Sequence, residues 1–490
     1  MFDASHSFDC AIVGGGPCGS LLAARLAEWG HKVALFDRGG PRGGLPEEFV
    51  GGDAEPLLRR HGLLSSVRAH GFRDLTARGL VWGDGELRWR EDEEARGIRI
   101  RRDLFDADLR RMARGLGATV FEDTRVEGPL PESGRGAITV RAEDGDTAEL
   151  LTRSIVVTTG RQPSAELLPV ALRRQLARAS ALTVSVPLRH SREIFRDASV
   201  IEAVEEGWLW WLPRSDGAAS LTLVADPECV KTAGARGIFD RALLGSSGPA
   251  AVARELDLDV EEVDFRGPYP GFGGLATARL VETPSRIVLA GDAASTIDPI
   301  TTRGIEKALA SAEQAAGAVN TILRRPDLAS LAVEHHRDWE AARWEDEAQR
   351  AMRWYLGETR FADAPFWSAR HESVRVEIDR VPSPSDFPTK LRPHPALQRR
   401  PALERRGHVL VETEGFALPE SDRAIARLGR VPLLPVIEHL ERNPDVDRFL
   451  EVASCDGRLY LLSRGHVLQA LTDMVRLGMI VEAGEGERRG

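Results

Sequence analysis

Three glycines and an acid near the N-terminus have the types and spacing needed to hold phosphate groups. Gly14, Gly16 and Gly19 follow the apolar run at residues 8–13, and Asp37 ends a second apolar run about twenty residues later. Glycine allows a tight turn at the first position, close approach to a pyrophosphate at the second, and close packing of helix on strand at the third. The start of that helix offers N–H groups and the positive end of its dipole, and the acid can accept hydrogen bonds from a ribose. The pattern predicts a strand–turn–helix–strand unit that binds a dinucleotide, and a glycine turn without a ligand is the alternative.

Three later segments decide which dinucleotide is expected. Arg102 opens a helical pattern that is followed by a strand pattern containing Val126, and Gly160 ends another apolar strand pattern. Residues 286–309 then contain the pairs Gly-Asp, Asp-Pro and Gly-Ile in that order. These segments resemble the FAD-dependent superfamily of aromatic hydroxylases and halogenases, and the resemblance covers roughly residues 7–370. It implies that the cofactor is FAD.

The resemblance also implies a role for each matching residue. Arg102 would reach the FAD phosphates or the ribityl chain, the backbone of Val126 would contact adenine, and Asp292 would bind a ribityl hydroxyl. Pro299 would lie near the flavin ring, and the positive end of a helix beginning near Gly304 would stabilise the anionic reduced flavin. The residues expected to bind the cofactor are Gly14, Gly16, Gly19, Asp37, Arg38, Arg102, Val126, Gly160, Gly291, Asp292, Pro299, Gly304 and Ile305.

A predicted strand near residue 210 carries three tryptophans. Because side chains alternate along a strand, Trp208 and Trp210 share one face and Trp211 lies on the other. The spacing of Trp208, Trp210 and Pro213 resembles a signature of flavin-dependent halogenases that also has a counterpart in prenyl reductases, so it marks the superfamily and not one reaction. Two interpretations stay open. The tryptophans either belong to the core between the sheet and the FAD domain, or form an aromatic wall of a pocket for a flat, electron-rich substrate.

Two charged residues around the predicted Pro299 turn are further candidates for the substrate pocket. Asp298 flanks the turn, with a helix cap as its alternative role. Arg303 stands where many relatives have a small residue, and its alternatives are contact with substrate or flavin, or a surface cation. Glu306 is expected to be a solvated helix residue. No catalytic general base is identified.

A long helix is predicted over residues 337–355. The stretch at 355–370 resembles monooxygenase-like flavoproteins associated with oxidising a tryptophan side chain in a partner peptide or protein. The alternative is that this stretch packs a helix onto the sheet. No metal site is expected, because the adjacent His335 and His336 point in different directions on a helix.

The predicted fold class is α/β, with a Rossmann-type FAD-binding domain, an inserted antiparallel β-sheet substrate domain and a small winged-helix-like C-terminal domain. Alternating apolar patterns at 182–188 and 220–225 indicate the antiparallel sheet. A linker rich in proline and arginine is expected at 371–408, and the C-terminal domain at 409–490. Within the module at 1–370, FAD-binding segments are expected at about 7–44, 101–181 and 271–330, substrate-domain segments at about 45–100 and 182–270, and a helical segment at 331–370.

The C-terminal domain shows helical patterns and an acidic composition. Residues 433–440 predict a helix, Ser463 and Gly478 fit the start and end of another, and residues 479–481 resemble a short strand. Helices followed by a hairpin favour a winged helix. Residues 409–485 contain eight arginines, no lysine and thirteen acids, whereas a duplex-binding module should be basic. A protein or peptide partner, or simple covering of the FAD domain, is therefore expected instead of nucleic acid.

Composition narrows the class of protein. The net charge of -10 disfavours nucleic acid as a partner, and no apolar run approaches the roughly 18 residues of a membrane span. The N-terminus lacks a secretion-signal pattern. The four cysteines form neither a disulfide framework nor a CxxC metal site, and Cys18 is interpreted as a small filler of its turn. These features indicate a cytoplasmic protein.

The resemblance implies two oxidative reactions that begin when reduced flavin and O2 form a C4a-hydroperoxide. A hydroxylase transfers the distal oxygen to an aromatic ring. A tryptophan-type halogenase uses a lysine located between the glycine turn and the tryptophan strand, and here no lysine lies between Lys32 and Lys231. The sequence therefore favours an FAD-dependent monooxygenase that hydroxylates an electron-rich aromatic substrate. That substrate is a small molecule, or a tryptophan in a peptide or carrier-bound substrate.

Other functions remain open at this point. A flavin-dependent halogenase and a prenyl-reductase-like flavoprotein are the enzymatic alternatives, and a flavin redox sensor acting through the C-terminal domain is the non-enzymatic one. No second nucleotide-binding unit is visible in the sequence. The reductant is therefore either NAD(P)H bound transiently or a separate flavin reductase.

Overall fold

The computed structural model of the chain divides into two compact units, Met1–Val374 and Arg375–Gly490. The finer segment boundaries expected from the sequence stay predictions. The structure describes residues 7–39, 47–51, 54–70, 74–75, 77–90, 97–160, 167, 179–255, 261–262, 286–378, 389–421, 423–428, 431–453 and 464–483. Among the described helices, none combines the length and apolar character that a bilayer crossing requires.

A five-stranded parallel sheet forms the centre of the first unit. Its three inner strands are short apolar runs that are fully buried, as is typical of a parallel sheet covered by helices on both faces, whereas the edge strand Thr119–Phe121 is partly exposed. The helix Pro17–Glu28 packs against the helices Arg102–Gly115 and Gly304–Arg324. This arrangement confirms the predicted Rossmann-type core. In spatial order the strands are Ile287–Leu289, Ile155–Val157, Cys10–Val13, Val33–Phe36 and Thr119–Phe121.

A seven-stranded sheet forms the second layer. Its neighbours are antiparallel except for Ala198–Val204 and Ala77–Val81, which run parallel. The predicted antiparallel insertion is therefore confirmed with one parallel exception, because the two inserted segments meet at that pair and share one sheet. In spatial order its strands are Glu261–Glu262, Ser180–Pro187, Ala218–Ala225, Gly207–Pro213, Ala198–Val204, Ala77–Val81 and Leu87–Arg90.

Two smaller sheets and several helices complete the first unit. One sheet joins Ser7–Phe8, Thr147–Thr152, Gly136–Ala142 and Thr124–Glu127, and the other joins Glu48–Gly51, Gly97–Ile100 and Asp74–Leu75. The long helix Ala329–Leu356 includes the residues predicted as helical. The remaining helices are Glu55–Arg60, Leu63–Ala69, Pro227–Ala233, Ala235–Gly245 and Pro365–Ile378.

Among its described residues, the second unit combines short strands with three complete helices around its own apolar core. The helices are Leu433–Arg442, Val446–Ala453 and Arg464–Arg476. The strand pairs are Leu391–Pro393 with Ile480–Glu482, Gln398–Arg406 with Val409–Ala417, and Arg427–Leu428 with Val431–Pro432. Buried side chains of that core include Leu391, Phe416, Val436, Phe449, Leu471 and Ile480.

Two predictions for this region are wrong in part. The expected linker at 371–408 contains Leu391–Pro393 and Gln398–Arg406, both paired strands. The second strand pairs along its whole length with Val409–Ala417, and its Arg399 forms a 3.0 Å ion pair with Glu414 on that partner. The expected winged-helix order also fails, since the long hairpin precedes the helices and Ile480–Glu482 pairs back to Leu391–Pro393.

Of the two residues predicted to start and end a helix in this unit, only Gly478 can be compared with the structure. Ser463 lies outside the described residues. Gly478 has a φ of +69°, and its N–H donates to the Val475 carbonyl just after the helix Arg464–Arg476. Glycine reaches this left-handed conformation without strain, so it ends the helix as expected.

Candidate cofactor and substrate site

In the glycine turn between Cys10–Val13 and the helix Pro17–Glu28, neighbouring backbone atoms leave no room for side chains at Gly14 and Gly19. A Cβ added at Gly14 would overlap the Thr158 carbonyl, and one added at Gly19 would overlap the carbonyl oxygen of Gly14. Gly14 also has a φ of +116°, which side chains rarely adopt. A Cβ at Gly16 would meet no atom within 4 Å. The side of the turn at Gly16 is therefore open to an incoming group.

The start of the helix Pro17–Glu28 is arranged to receive an anion. Gly16 is its N-cap, no side chain caps it, and its first turn holds no acid. A pyrophosphate would accept hydrogen bonds from such a helix end. Together with the open space at Gly16, this geometry fits the pyrophosphate of FAD.

Asp37 lies at the end of the strand Val33–Phe36, beside the glycine turn. Its carboxylate accepts a hydrogen bond from the Gly39 N–H at 3.1 Å and forms a 3.2 Å ion pair with Arg110. Arg110 also donates to the Gly15 carbonyl at 3.2 Å. Arg110 thus joins the acid to the turn, a role that the sequence reasoning missed because Arg110 lies on a separate helix. The neighbouring Arg38 is exposed.

Arg102 is bound to two carboxylates. It forms ion pairs of 2.9 Å with Glu48 and 3.1 Å with Asp106. Although burial disfavours its charged form, these two acids together raise the pKa of Arg102 above its ordinary value. The expected contact with the cofactor stays a prediction.

Val126 and Gly160 are the two residues whose backbone atoms are expected to contact the cofactor. The Val126 side chain is buried in the strand Thr124–Glu127, opposite Val140, so an adenine contact here would use its backbone. Gly160 has a φ of +76° just beyond the strand Ile155–Val157.

A buried network holds the turn that presents Asp292. The Gly291 N–H donates to Ser311 Oγ at 2.7 Å, and the Gly291 carbonyl accepts from Lys307 Nζ at 2.7 Å. Lys307 is fully buried, donates to the Ser295 carbonyl and forms a 3.3 Å ion pair with Glu340. We call Lys307, Glu340, Ser295 and Ser311 the lysine network.

Glu340 completes the lysine network from the helix Ala329–Leu356. Its carboxylate accepts hydrogen bonds from Ser295 Oγ at 2.9 Å and from Ser311 Oγ. A buried carboxylate is tolerated when its charge is paired and its oxygens are hydrogen-bonded. This network could not be predicted from the sequence, because Lys307 lies in an ordinary amphipathic helix pattern.

His336 lies one turn before Glu340 in the same buried region. Its Nε2 is 2.8 Å from the Leu289 carbonyl at the end of a central strand. Burial lowers the pKa of His336, and the nearby Glu340 carboxylate only partly offsets that effect. The imidazole is therefore neutral at pH 7 and donates to the carbonyl.

Asp298 caps the turn Pro299–Thr301, the alternative role expected for it. Its carboxylate accepts from the Ile300 N–H at 2.9 Å and from the Tyr355 hydroxyl at 3.2 Å. The same hydroxyl accepts from Trp208 Nε1 at 3.3 Å. Burial, followed by the charge of Asp298, raises the pKa of Tyr355 well above its usual value.

The tryptophan strand has the predicted faces. Trp208 and Trp210 are 0% and 9% exposed and share a core cluster with Trp344, Tyr355 and Trp367. The Trp211 indole lies on the opposite face and donates to the Phe195 carbonyl at 2.9 Å. In this structure the three indoles are core side chains, the first of the two interpretations.

A cavity of about 420 Å³ lies beside the turn at residues 299–303. Its aromatic walls are Trp82, on the loop after Ala77–Val81, and Trp354, near the end of the long helix. The Trp82 indole donates to the Trp354 carbonyl at 2.8 Å, and the two rings meet edge to face at 5.7 Å. Trp208 and Trp210 are not among its lining residues, which include Val50, Gly51, Arg78, Thr301, Thr302, Arg303, Ile305 and Glu306.

The helix that starts at Gly304 borders the cavity through a charged cluster. Arg303 forms ion pairs of 2.7 Å with Glu306 and 3.3 Å with Glu347. Arg343 pairs with both acids at 3.0 Å. Burial raises the pKa of Glu347, although three arginines, Arg343, Arg303 and Arg350, oppose that shift. Glu306 is thus an ion-paired, largely buried residue, and the expectation that it is solvated is wrong.

The helix N-terminus itself is open. Gly304 is exposed, and no side chain caps the helix Gly304–Arg324. Arg303 and Ile305, on either side of Gly304, line the cavity, so uncapped N–H groups at its edge could face a flavin ring placed beside it. These residues would hold the ring, with Asp292 on the adjacent turn available for the ribityl chain.

Comparison with known proteins supports the expected resemblance. Residues 12–73 match the family model described as an NAD(P)-binding Rossmann-like domain. The chain is 24% identical to a tryptophan 2-halogenase from Chondromyces crocatus, covering 74% of this chain and 71% of that protein. It is also 24% identical to a digeranylgeranylglycerophospholipid reductase from Methanoculleus marisnigri, covering 69% and 83%.

Solved structures show the same fold. The flavin-dependent halogenase CmlS aligns with a TM-score of 0.68 at 19% identity, covering 97% of this chain and 96% of that one. The peptidyl tryptophan dihydroxylase QhpG aligns with a TM-score of 0.64 at 21% identity, covering 96% and 100%. The predicted Rossmann-type domain with an inserted antiparallel sheet and the resemblance to flavin-dependent halogenases and monooxygenases are confirmed.

Proposed function

We propose that this chain, an oxidoreductase of the FAD-dependent halogenase and monooxygenase superfamily, hydroxylates an electron-rich aromatic ring. The observation that carries the proposal is the cavity between Trp82 and Trp354, which adjoins the uncapped helix start at Gly304. An aromatic ring in this cavity would lie beside the position at which the flavin ring fits. A narrower candidate is a tryptophan in a peptide or carrier-bound substrate.

The residues of the chain supply binding and orientation. The open glycine turn at Gly16 and the acid Asp37 would hold the two ends of the cofactor's adenosine diphosphate portion. The helix start at Gly304 would stabilise negative charge on the ring. A bound reduced flavin would supply the activation of O2. Trp82 and Trp354 would hold the substrate ring at the cavity wall and exclude water from it.

The positions of the described lysines favour hydroxylation over halogenation. Lys307 lies in the first turn of the helix that starts at Gly304, and its ammonium is bound by Gly291, Ser295 and Glu340. The residues that line the cavity in the described chain include arginines and no lysine. A mechanism that needs a lysine beside the substrate therefore has no candidate among them.

Halogenation remains the second candidate because of the relatives. A tryptophan 2-halogenase and the halogenase CmlS are both similar to this chain. The likeness to QhpG, whose name describes a peptidyl tryptophan dihydroxylase, supports a tryptophan in a peptide as the narrower substrate.

A single-turnover experiment tests the proposal and separates the candidates. FAD-loaded protein is reduced chemically without air and mixed with isotopically labelled O2, bromide and a tryptophan-containing peptide. Mass spectrometry should find labelled oxygen in the peptide. Bromine in the product would favour halogenation. If the peptide stays unchanged, the same mixture with a small indole in place of the peptide follows, and an unchanged indole there as well would contradict both candidates. Trp211→Phe, on the opposite face of the tryptophan strand, is the control and should react like the wild type, whereas Trp354→Phe should react less.

A further inference from the structure

The cavity has an unusual excess of positive charge. Five arginines line it, against the single acid Glu306 among its described lining residues. The whole chain, in contrast, has a net charge of -10. A cluster of like charges that are not neutralised at a cavity raises the local concentration of anions.

Three of these arginines have partners, and Arg90 is one of them. Arg78 donates to Thr302 Oγ1 at 3.1 Å, and its guanidinium lies 5.7 Å from the centre of the Phe49 ring. Arg303 belongs to the ion-paired cluster with Glu306 and Glu347. The charges of Arg78 and Arg303 are therefore used in holding the cavity walls.

Arg350 and Arg353 differ from them. Both are exposed, and they stand three residues apart on the helix Ala329–Leu356, so they share one face. Within the part of the chain that the structure describes, neither guanidinium forms a hydrogen bond or a close ion pair, and Arg350 acts on the Glu347 carboxylate only through its charge, as a weaker influence than Arg343 and Arg303. Trp354 lines the cavity from the same stretch of helix.

We propose that the substrate carries an anionic group, a carboxylate or a phosphate, close to its aromatic ring, and that Arg350 and Arg353 bind this group. Guanidinium groups match the planar oxygens of a carboxylate or phosphate and form strong charge-assisted hydrogen bonds with them. The ring then lies against Trp354 and the anion beside the two arginines. The proposal rests on the proposed function in one respect, since it takes this cavity as the place of the aromatic ring.

Equilibrium binding tests the proposal without any turnover. N-acetyltryptophan, which carries a carboxylate, and N-acetyltryptophanamide, its neutral counterpart, are titrated into oxidised FAD-loaded protein by calorimetry. The anion should bind at least about tenfold more tightly than the amide. In the double variant Arg350→Gln/Arg353→Gln the two affinities should agree within about twofold. Arg337→Gln, the same change on the same helix outside the cavity lining, should keep the wild-type preference.

Two further binding measurements, with inorganic phosphate and with NADPH, identify which anion the arginines bind. If inorganic phosphate competes with N-acetyltryptophan in the wild type, the site accepts phosphates as well, and without competition it is assigned to carboxylates. Equal binding of the two probes, binding of neither, or a preference that survives in the double variant would overturn the proposal. So would a loss of NADPH affinity in the double variant with unchanged N-acetyltryptophan affinity, which would assign the arginines to the reductant.

The outcome is separable from that of the proposed function. Flavin content and melting temperature of the variants show that the protein is intact, and the single-turnover assay reports oxidation independently. Oxidation of neutral and anionic substrates alike would overturn only the anion site. A clear preference for the anion without any oxidation or halogenation would overturn only the reaction.

Discussion

The glycine turn and the cavity use different parts of the chain to shape a binding site. In the turn, backbone atoms approach so closely that Gly14 and Gly19 have no space for a Cβ. In the cavity, the walls are long side chains such as Trp82, Trp354 and Arg350. A backbone-built site fails on the smallest substitution, whereas a side-chain-built site changes its preference gradually. This difference sets the order of the effects expected below.

The largest effect is expected at Gly19. In Gly19→Ala the new Cβ overlaps the Gly14 carbonyl, which is backbone and has little freedom to move, so the turn is displaced. We expect flavin content after purification to fall at least about tenfold, with a lower melting temperature. Absorbance of the bound flavin and a thermal melt measure both.

Gly16→Ala sharpens this test. Its Cβ would meet no protein atom, so the apoprotein should melt like the wild type, while the methyl group hinders the pyrophosphate and weakens FAD binding. Gly115→Ala, at the end of another helix and with open space around it, is the control. Equal FAD affinity of Gly16→Ala and Gly115→Ala would contradict the assignment of the turn to a pyrophosphate.

The next largest effect concerns the lysine network. Lys307→Met leaves the buried Glu340 without its cationic partner, and breaking a buried pair in this way costs about 3–5 kcal/mol. Urea unfolding should show this loss in the free energy of unfolding. Adding Glu340→Gln removes the unpaired charge, so the double variant should recover part of the stability. A single variant as stable as the wild type would contradict the network.

Smaller effects are expected at the tryptophans, where a core residue should affect stability and a cavity residue should affect substrate binding. Trp208→Phe removes a buried indole that donates to Tyr355, and should lower the free energy of unfolding by roughly 1–2 kcal/mol with unchanged substrate affinity. Trp354→Phe should leave the free energy of unfolding nearly unchanged and weaken the binding of an indole probe about fivefold. Urea unfolding and calorimetry on both variants measure the pair. The same pattern in both variants would show that the core and cavity roles are not separate.

The smallest effect is a pH dependence of stability. Burial lowers the pKa of His336 below its ordinary 6.5, so the unfolded chain takes up a proton that the folded chain does not. The contribution of His336 is therefore complete above pH 6.5 and is lost as pH falls below it, by at most about 1.4 kcal/mol per pH unit. Urea unfolding across this range should show the slope.

His336→Gln provides the control for that slope. The variant should show a smaller decrease below pH 6.5, and His61, whose pKa burial also lowers, accounts for a residual slope. An unchanged slope would contradict the role of His336.

The backbone-built end could be predicted from the sequence, and the cavity could not. The positions of Gly14, Gly19 and Asp37 follow from local strand, turn and helix patterns, and the shared face of Trp208 and Trp210 follows from strand alternation. Whether that face borders a cavity or the core depends on what packs against it. Here Tyr355, from a distant helix, covers it.

The side-chain walls depend on long-range assembly. Trp82 and Trp354 are 272 positions apart in the chain and join across two elements, so no local pattern indicates their contact. Lys307 was missed for a similar reason, because a lysine in an amphipathic helix is usually exposed and its partner Glu340 comes from another helix. The linker error has the same origin, since Gln398–Arg406 becomes a strand by pairing with Val409–Ala417.

The thiol of Cys18 gives the glycine turn a chemical property of its own. Burial raises the pKa of Cys18 to about 12, so the sulfur stays protonated and unreactive at neutral pH. Trp82 and Trp354, by contrast, are only partly buried. If the chain catalyses oxidation, reduced enzyme that meets O2 without substrate will oxidise its own side chains. We expect this oxidation at the indoles of Trp82 and Trp354 and not at the sulfur of Cys18. The working life of each molecule would then depend on how seldom it is reduced while the cavity is empty.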